Sequence, residues 1–314
     1  MKNINTINIL CATDENYAAY CGIMLTSLFE NNKNNSLEIF LLADQLSVNS
    51  KDKFRQLSDK YKTTINLITP SSDLYSNFPV RPGDHVTKAA YYRISCGELL
   101  PEEIKKVIYL DCDIIVNSDL KDLWEISLES NLFGAVIDSY FFQAKDRLNL
   151  NSYFNSGVLV IDVDKFRKEN INSKCLETLR EDPEKIKMHD QDLLNIVAQN
   201  RVFQLSPRFN MMSAFLRKEH LTTYFSVSMQ NKVRSYSNQP ESLILHYEYF
   251  PKPWQKGALI PHPFEHVWNK YKNLSLWNDS VKITYAPLKK RLTNAIIRFL
   301  WTVKIKHKPQ YYIC

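Results

Sequence analysis

Short aliphatic and β-branched runs recur through the first half of the chain, at residues 7–12, 37–42, 64–68, 106–110, 132–137 and 154–163. Between the early runs the apolar positions switch to helical spacing, with Tyr20, Ile23, Met24 and Leu28 in one stretch and Phe54, Leu57 and Tyr61 in another. Strands alternating with helices predict an α/β fold, a mostly parallel sheet flanked by helices on both faces. Ligands of such sheets lie beyond the carboxyl ends of the strands. Those ends are polar here. The first run enters Thr13-Asp14-Glu15-Asn16-Tyr17, the fourth enters Asp111-Cys112-Asp113, the fifth reaches Asp138, and Asn155-Ser156-Gly157 interrupts the sixth at its start. Past residue 200 prolines punctuate aromatic-rich segments and no repeat is visible. From Pro287 onward, Leu288, Leu292, Ala295, Ile296, Phe299, Leu300 and Val303 return to helical spacing.

At 314 residues, 44% hydrophobic and 24% charged, the chain can bury a large core, which excludes disordered, collagen-like and low-complexity classes. Its six glycines form no GxGxxG, and none precedes Lys-Ser or Lys-Thr, so neither a dinucleotide fingerprint nor a P-loop is present. A bound nucleotide would need its phosphates neutralised another way, and a metal ion is the first alternative. The net charge of +6 is concentrated at one end. Residues 285–314 hold seven basic side chains and no acid, leaving 33 basic against 34 acidic residues in the other 284. A nucleic-acid binder with a basic body is thereby disfavoured. The six cysteines form no CxxC, no secretory leader pattern precedes them, and no run reaches 18 apolar residues. The expectation is a cytoplasmic, disulfide-free protein without a transmembrane helix. The tail, with Lys289, Lys290, Arg291, Arg298, Lys304, Lys306 and Lys308, reads as an amphipathic helix on an anionic membrane surface, the alternative being a C-terminal helix docked on the body with its basic face in solvent. Each basic residue there contributes about 1 kcal/mol. Trp301, Tyr311 and Tyr312 add interfacial aromatics.

The candidate chemistry starts at residues 106–124, where an aliphatic strand runs straight into Asp111-Cys112-Asp113 and then into a second aliphatic run. Alone, a DxD triplet is a strand-end turn. Between two apolar runs the carboxylates have no evident solvent loop, and burying both without a cation is costly. His246 follows another aliphatic run, with Lys252 six residues on. Two carboxylates and an imidazole suit Mn2+ better than Mg2+, the alternative ion. A diphosphate would fill the remaining positions beside Lys252. Asp190-Gln191-Asp192 also reads as a helix start, with Asp190 capping and Leu193, Leu194, Ile196 and Val197 facing the core.

These residues resemble the family 8 glycosyltransferases, retaining GT-A-type enzymes with nucleotide-sugar donors, and among them the bacterial lipopolysaccharide α-galactosyl- and α-glucosyltransferases. The likeness spans roughly residues 5–280 and rests on A-T-D-E-N-Y (12–17), Y-Y-R (91–93), Y-L-D-C-D (109–113), Y-F-N-S-G-V (153–158), H-D-Q-D (189–192) and H-Y-E-Y-F-P-K-P-W (246–254). It implies a Rossmann-like GT-A domain over residues 1–282 and a basic membrane-associating extension over 283–314. By position, Ala12, Asp14, Asn16 and Tyr17 match uracil and ribose contacts. Asp111, Asp113 and His246 match the Mn2+ ligands, with Cys112 among the donor contacts. Arg93, Asn155, Ser156, Asp190 and Gln191 match the residues around the donor sugar, with Asp190 and Gln191 as the catalytic pair, and Lys252 matches the diphosphate lysine. His85 falls in the segment that serves the acceptor side. The implied reaction moves a hexose from UDP-galactose or UDP-glucose to a saccharide or glycolipid acceptor in lipopolysaccharide. The alternatives are extension of a protein-linked glycan and a non-catalytic UDP-sugar-binding protein. One position departs from the family pattern H-x-x-G-x-x-K-P-W: the glycine is Tyr249. A tyrosine still presents its N–H, but reaches a glycine-only conformation only under strain.

Overall fold

The computed structural model describes residues 6–71, 75, 78, 87–199, 201–249, 251–303 and 312. His85, Lys304, Lys306, Lys308 and Tyr311 lie outside them. The strands are β1 Ile7–Thr13, β2 Leu37–Ala43, β3 Thr64–Ile68, β4 Lys106–Leu110, β5 Ile114–Val116, β6 Phe133–Ile137, β7 Phe154–Asp162, β8 Val202–Gln204, β9 Met211–Met212, β10 Ile244–His246, β11 Gln255–Lys256 and β12 Thr284–Tyr285. Seven of them form the central sheet in the order β3-β2-β1-β4-β7-β6-β8. All neighbours in it are parallel except those of β7, which runs against both β4 and β6.

Period-two alternation explains why the central strands read as unbroken apolar runs: both faces are covered. Ile9, Cys11, Ile39, Leu41, Ile108 and Leu110 pack on one face with the helix Ala18–Asn31. Leu10, Ala12, Phe40, Leu42, Val107 and Tyr109 pack on the other with Tyr91, Ile94 and the helix His189–Ala198. A second sheet, β5-β10-β9, carries the chain from the Asp111–Asp113 turn back to His246, with His246 opposite Ile114.

Two features of β7 position the site. Because the strand is reversed, its amino end meets the carboxyl edge of β1 and β4. Its register against β6 also slips, since Phe154 faces Ile137 while Leu159 faces Ala135. Residues 155–158 therefore bulge against a single β6 residue, which is how sheets re-aim side chains beside active sites.

The tail forms the helix Leu288–Thr302. It meets the body through its polar side: buried Asn294 donates to the Gly257 carbonyl at 2.8 Å, and Arg298 reaches the Ala258 carbonyl. Leu288, Leu292, Ile296 and Phe299 are each more than half exposed. No described helix is long and apolar enough to cross a membrane.

Candidate active site

A cleft of about 600 Å3 opens at the carboxyl edge of the sheet, lined by Ala12, Asp14 and Tyr17 from the end of β1, by the Asp111–Asp113 turn, and by residues of β7, the 188–191 segment and the 246–252 segment. Of the residues singled out in the sequence, Ala12, Asp14, Tyr17, Arg93, Asp111, Cys112, Asp113, Asn155, Ser156, Asp190, Gln191, His246 and Lys252 all line it. Asn16 sits exposed on the turn after β1, outside that lining.

Each oxygen of the two DxD carboxylates has an assigned partner. Arg93 Nη2 and Tyr109 OH both donate to Asp111 Oδ1, at 2.8 and 2.9 Å. Lys252 Nζ holds Asp113 Oδ2 at 2.6 Å. The remaining oxygens, Asp111 Oδ2 and Asp113 Oδ1, face His246 Nε2 at 3.9 and 3.2 Å. One ligand atom from each of the three residues thus lies within 4.8 Å of the others.

A chain of hydrogen bonds fixes which His246 nitrogen carries the proton. Asp138, an acceptor only, takes a bond from Asn155 Nδ2 at 3.0 Å, which orients the Asn155 amide. Asn155 Oδ1 then accepts the Gly157 N–H and Asn210 Nδ2. Asn210 Oδ1 is left to accept from His246 Nδ1 at 2.9 Å. Nδ1 is therefore the protonated nitrogen of the neutral ring, and Nε2 turns a lone pair toward two carboxylate oxygens. The repulsion of three converging lone pairs is relieved either by a second proton on Nε2, shared with Asp113 Oδ1 at 3.2 Å, or by a cation among them. The donor set of two carboxylate oxygens and one imidazole fits a divalent metal ion. Gly157 completes the cradle: a Cβ there would come within 2.2 Å of His246 Cε1 and 2.9 Å of Asp111 Oδ2.

Charge shifts follow the same geometry. Burial favours the neutral form of Asp113, yet Lys252 and His246 beside it hold its carboxyl far below the usual range. Burial opposes the charge on His246 and on Lys252, and Asp113 overrides it in both, raising each. Burial pushes the Asp190 carboxyl up to about 6, although Arg93 Nε stands 3.1 Å away. Arg93 is held protonated by Asp111 and Asp190 against its own desolvation.

The helix His189–Ala198 begins differently from the sequence expectation. Asp190 is not its cap: Met188 occupies that position without a side-chain cap, and Asp190 turns to Arg93 and Ser156 Oγ. Buried Asp192 anchors the helix start instead, accepting the N–H groups of Lys187 and Met188. His189 takes a left-handed φ of 50°, the kind of local strain that collects at functional sites. Gln191 is fully engaged: Oε1 accepts from Ser156 N and Asn155 Nδ2, and Nε2 donates to Asp138. Tyr249 is not among the described residues with positive φ, so the change from glycine carries no left-handed strain.

Sequence reasoning missed Asp138, Asn210, Tyr109 and Glu248 as parts of this cleft and its support. Asp138 had a strand-end position as its only signal. Asn210 ends the short turn Pro207–Asn210 and had none.

This is the architecture of a GT-A-type glycosyltransferase. The chain belongs to glycosyl transferase family 8, whose model matches residues 8–258. It is 28% identical over 286 residues to general stress protein A of Bacillus subtilis, covering 88% of this chain and 97% of that protein. It is 27% identical over 296 residues to a lipopolysaccharide 1,2-glucosyltransferase of Escherichia coli K12, covering 90% and 82%. The fold matches that of the galactosyltransferase LgtC, solved in complex with donor and acceptor sugar analogs. The TM-score is 0.75 at 22% identity, over 87% of this chain and 99% of that one.

Proposed function

We propose that this glycosyltransferase moves galactose or glucose from a UDP-sugar to a saccharide of lipopolysaccharide, lipooligosaccharide or another cell-surface glycan. Configuration at the anomeric carbon is retained, and Mn2+ is held by Asp111, Asp113 and His246. The observation that carries the reading is the convergence of Asp111 Oδ2, Asp113 Oδ1 and His246 Nε2 beside Lys252. Further support comes from the relatives, among them the E. coli glucosyltransferase and a lipopolysaccharide 1,3-galactosyltransferase of Salmonella typhimurium that is 25% identical.

When bound, the ion supplies Lewis-acid stabilisation of the departing diphosphate. The protein's residues do the rest. Lys252, kept protonated by Asp113, adds a fixed positive charge at the leaving group in a partly water-excluded cleft. Ala12, Asp14, Asn16 and Tyr17 take the uracil and ribose. Arg93, Asn155 and Ser156 surround the donor sugar, Cys112 is among the donor contacts, and Asp190, already tied to Arg93 and Ser156, orients sugar hydroxyls. Glycosyl transfer passes through an oxocarbenium-like transition state. The Gln191 carboxamide is a weak nucleophile and its oxygen already accepts hydrogen bonds, so same-face attack is the route proposed. The acceptor hydroxyl then delivers its proton to the departing phosphate oxygen.

The apolar stripe of the helix Leu288–Thr302 supports a second part of the reading. Residues 283–314 hold the enzyme on the anionic cytoplasmic face of the cell membrane, near a glycolipid acceptor.

The test is UDP release from a panel of UDP-sugars, with Mn2+ and with EDTA. Release from one sugar, abolished by EDTA and by Asp113→Ala, supports the assignment. Metal-independent release, or none from any UDP-sugar, overturns it.

A further inference from the structure

The cleft lining also carries a carboxylate and a group of rings to which the donor chemistry above assigns no role. Glu248 lines the cleft two residues beyond His246. Its carboxylate is held rigidly, with Oε2 accepting the Ser213 N–H at 2.7 Å and Oε1 the Ala214 N–H at 2.9 Å. A carboxylate offers about four lone-pair sites. One on each oxygen is taken, so each oxygen keeps acceptor capacity. Tyr224, His220 and Tyr249 line the cleft as well. His220 packs 5.6 Å from the Tyr224 ring and 6.0 Å from the Tyr249 ring. The Arg217 guanidinium stacks 4.7 Å from the Tyr249 centroid and steadies that ring, which remains 44% exposed. Tyr224 also meets the Phe142 ring at 5.5 Å.

We propose that Glu248 accepts hydrogen bonds from two neighbouring hydroxyls of a neutral pyranose in the acceptor, and that this sugar packs its C–H face on Tyr249. The inference rests on the hexosyltransfer reading of the same cleft and adds the acceptor's recognition chemistry to it. A pyranose has an apolar face for an aromatic ring and vicinal hydroxyls at the spacing of two carboxylate oxygens. Hydroxyl recognition is also the stringent kind, because an analogue lacking the hydroxyl leaves a desolvated carboxylate oxygen unpaired. Tyr249 stands where the family pattern has glycine, so this chain carries a stacking surface that the pattern lacks.

The experiment measures two rates on one preparation: hydrolysis of the UDP-sugar without acceptor, and transfer to methyl hexopyranosides and their monodeoxy analogues. Saturation-transfer NMR of the same hexosides, in the presence of UDP and Mn2+, reads binding without turnover. Glu248→Gln is expected to raise the acceptor KM about 10- to 100-fold, the range for losing a charged hydrogen bond. It should also erase the enzyme's discrimination against one deoxy analogue, with donor hydrolysis reduced by a smaller factor than transfer, since Glu248 also acts electrostatically on His246 and Lys252. Tyr249→Gly is expected to raise the acceptor KM and abolish the ring contacts in the NMR experiment, whereas Tyr249→Phe retains both. The tyrosine variants are at an exposed position and keep the test available should Glu248→Gln not fold.

Unchanged acceptor KM and hexoside contacts in both Glu248→Gln and Tyr249→Gly overturn the proposal. So does a donor hydrolysis loss equal to the transfer loss, selective use of a cationic amino sugar, or absence of hexoside binding by the wild type. Absence of UDP-sugar hydrolysis with hexoside contacts intact would instead count against the hexosyltransfer reading alone.

Discussion

Gly157→Ala isolates the steric requirement of the proposed metal cradle. Gly157 does not take a positive φ, so alanine is allowed by the backbone and the perturbation is a single methyl group. That methyl would sit 2.2 Å from His246 Cε1, 2.9 Å from His246 Nδ1 and 2.9 Å from Asp111 Oδ2. Carbon atoms in contact settle near 3.5 Å or beyond, so the imidazole must retreat by about 1.3 Å. The ring is 3% exposed and tied to Asn210, so it cannot swing aside without losing that bond. Ligand positions in metal sites tolerate about 0.2 Å. The expected result is a loss of at least about 100-fold in Mn2+ affinity with a comparable loss of turnover. Overpacking should cost about 1–3 kcal/mol of stability. Gly22→Ala supplies the control, since its methyl would meet the buried Trp277 ring at the same 2.2 Å. It should be destabilised to a similar degree and bind Mn2+ within twofold of wild type. Calorimetric Mn2+ titration, thermal unfolding and UDP-sugar hydrolysis read all three quantities. A Gly157→Ala protein with wild-type Mn2+ affinity and turnover would refute the cradle.

Asn210→Ala removes the acceptor that fixes the His246 proton on Nδ1, and should weaken Mn2+ binding about 10- to 100-fold; an unchanged affinity would show that the relay from Asp138 does not set the tautomer. Burial lowers the His262 pKa to about 3, against about 6.5 in an unfolded chain. Its stabilising contribution is therefore complete above about pH 6.5 and is lost as pH falls toward about 3, at up to about 1.4 kcal/mol per pH unit. Urea unfolding at pH 7, 6 and 5 should show a shallower loss in His262→Gln than in wild type, and parallel slopes would contradict this. Replacing Leu292, Ile296 and Phe299 together by glutamate should cut partitioning onto anionic vesicles at least about 10-fold and leave the melting temperature unchanged. Wild-type partitioning of that variant would remove the membrane role from the helix.

Much of this protein is written locally in its sequence. The alternation of apolar runs with helical spacing determined the layered α/β fold, because a strand buried on both faces must be apolar throughout. The polar residues that end those runs marked the cleft edge, and the tail's periodicity marked its helix. Other features depend on partners far away in sequence. The reversal of β7 brings Asn155-Ser156-Gly157 to the edge where parallel strands end, and nothing in its apolar pattern distinguishes a parallel from an antiparallel neighbour. Asp190 reads as a helix cap until Arg93 is seen beside it, and the capping-type bonds pass to Asp192. The tail helix is amphipathic in sequence, but only its attachment through Asn294 turns the apolar face outward. Gly157 looks like any strand glycine until His246, 89 positions away, is packed against it. Local patterns decide what a segment can become. Which lone pairs meet, and what space remains between them, is decided by contacts that form only when the whole chain has folded.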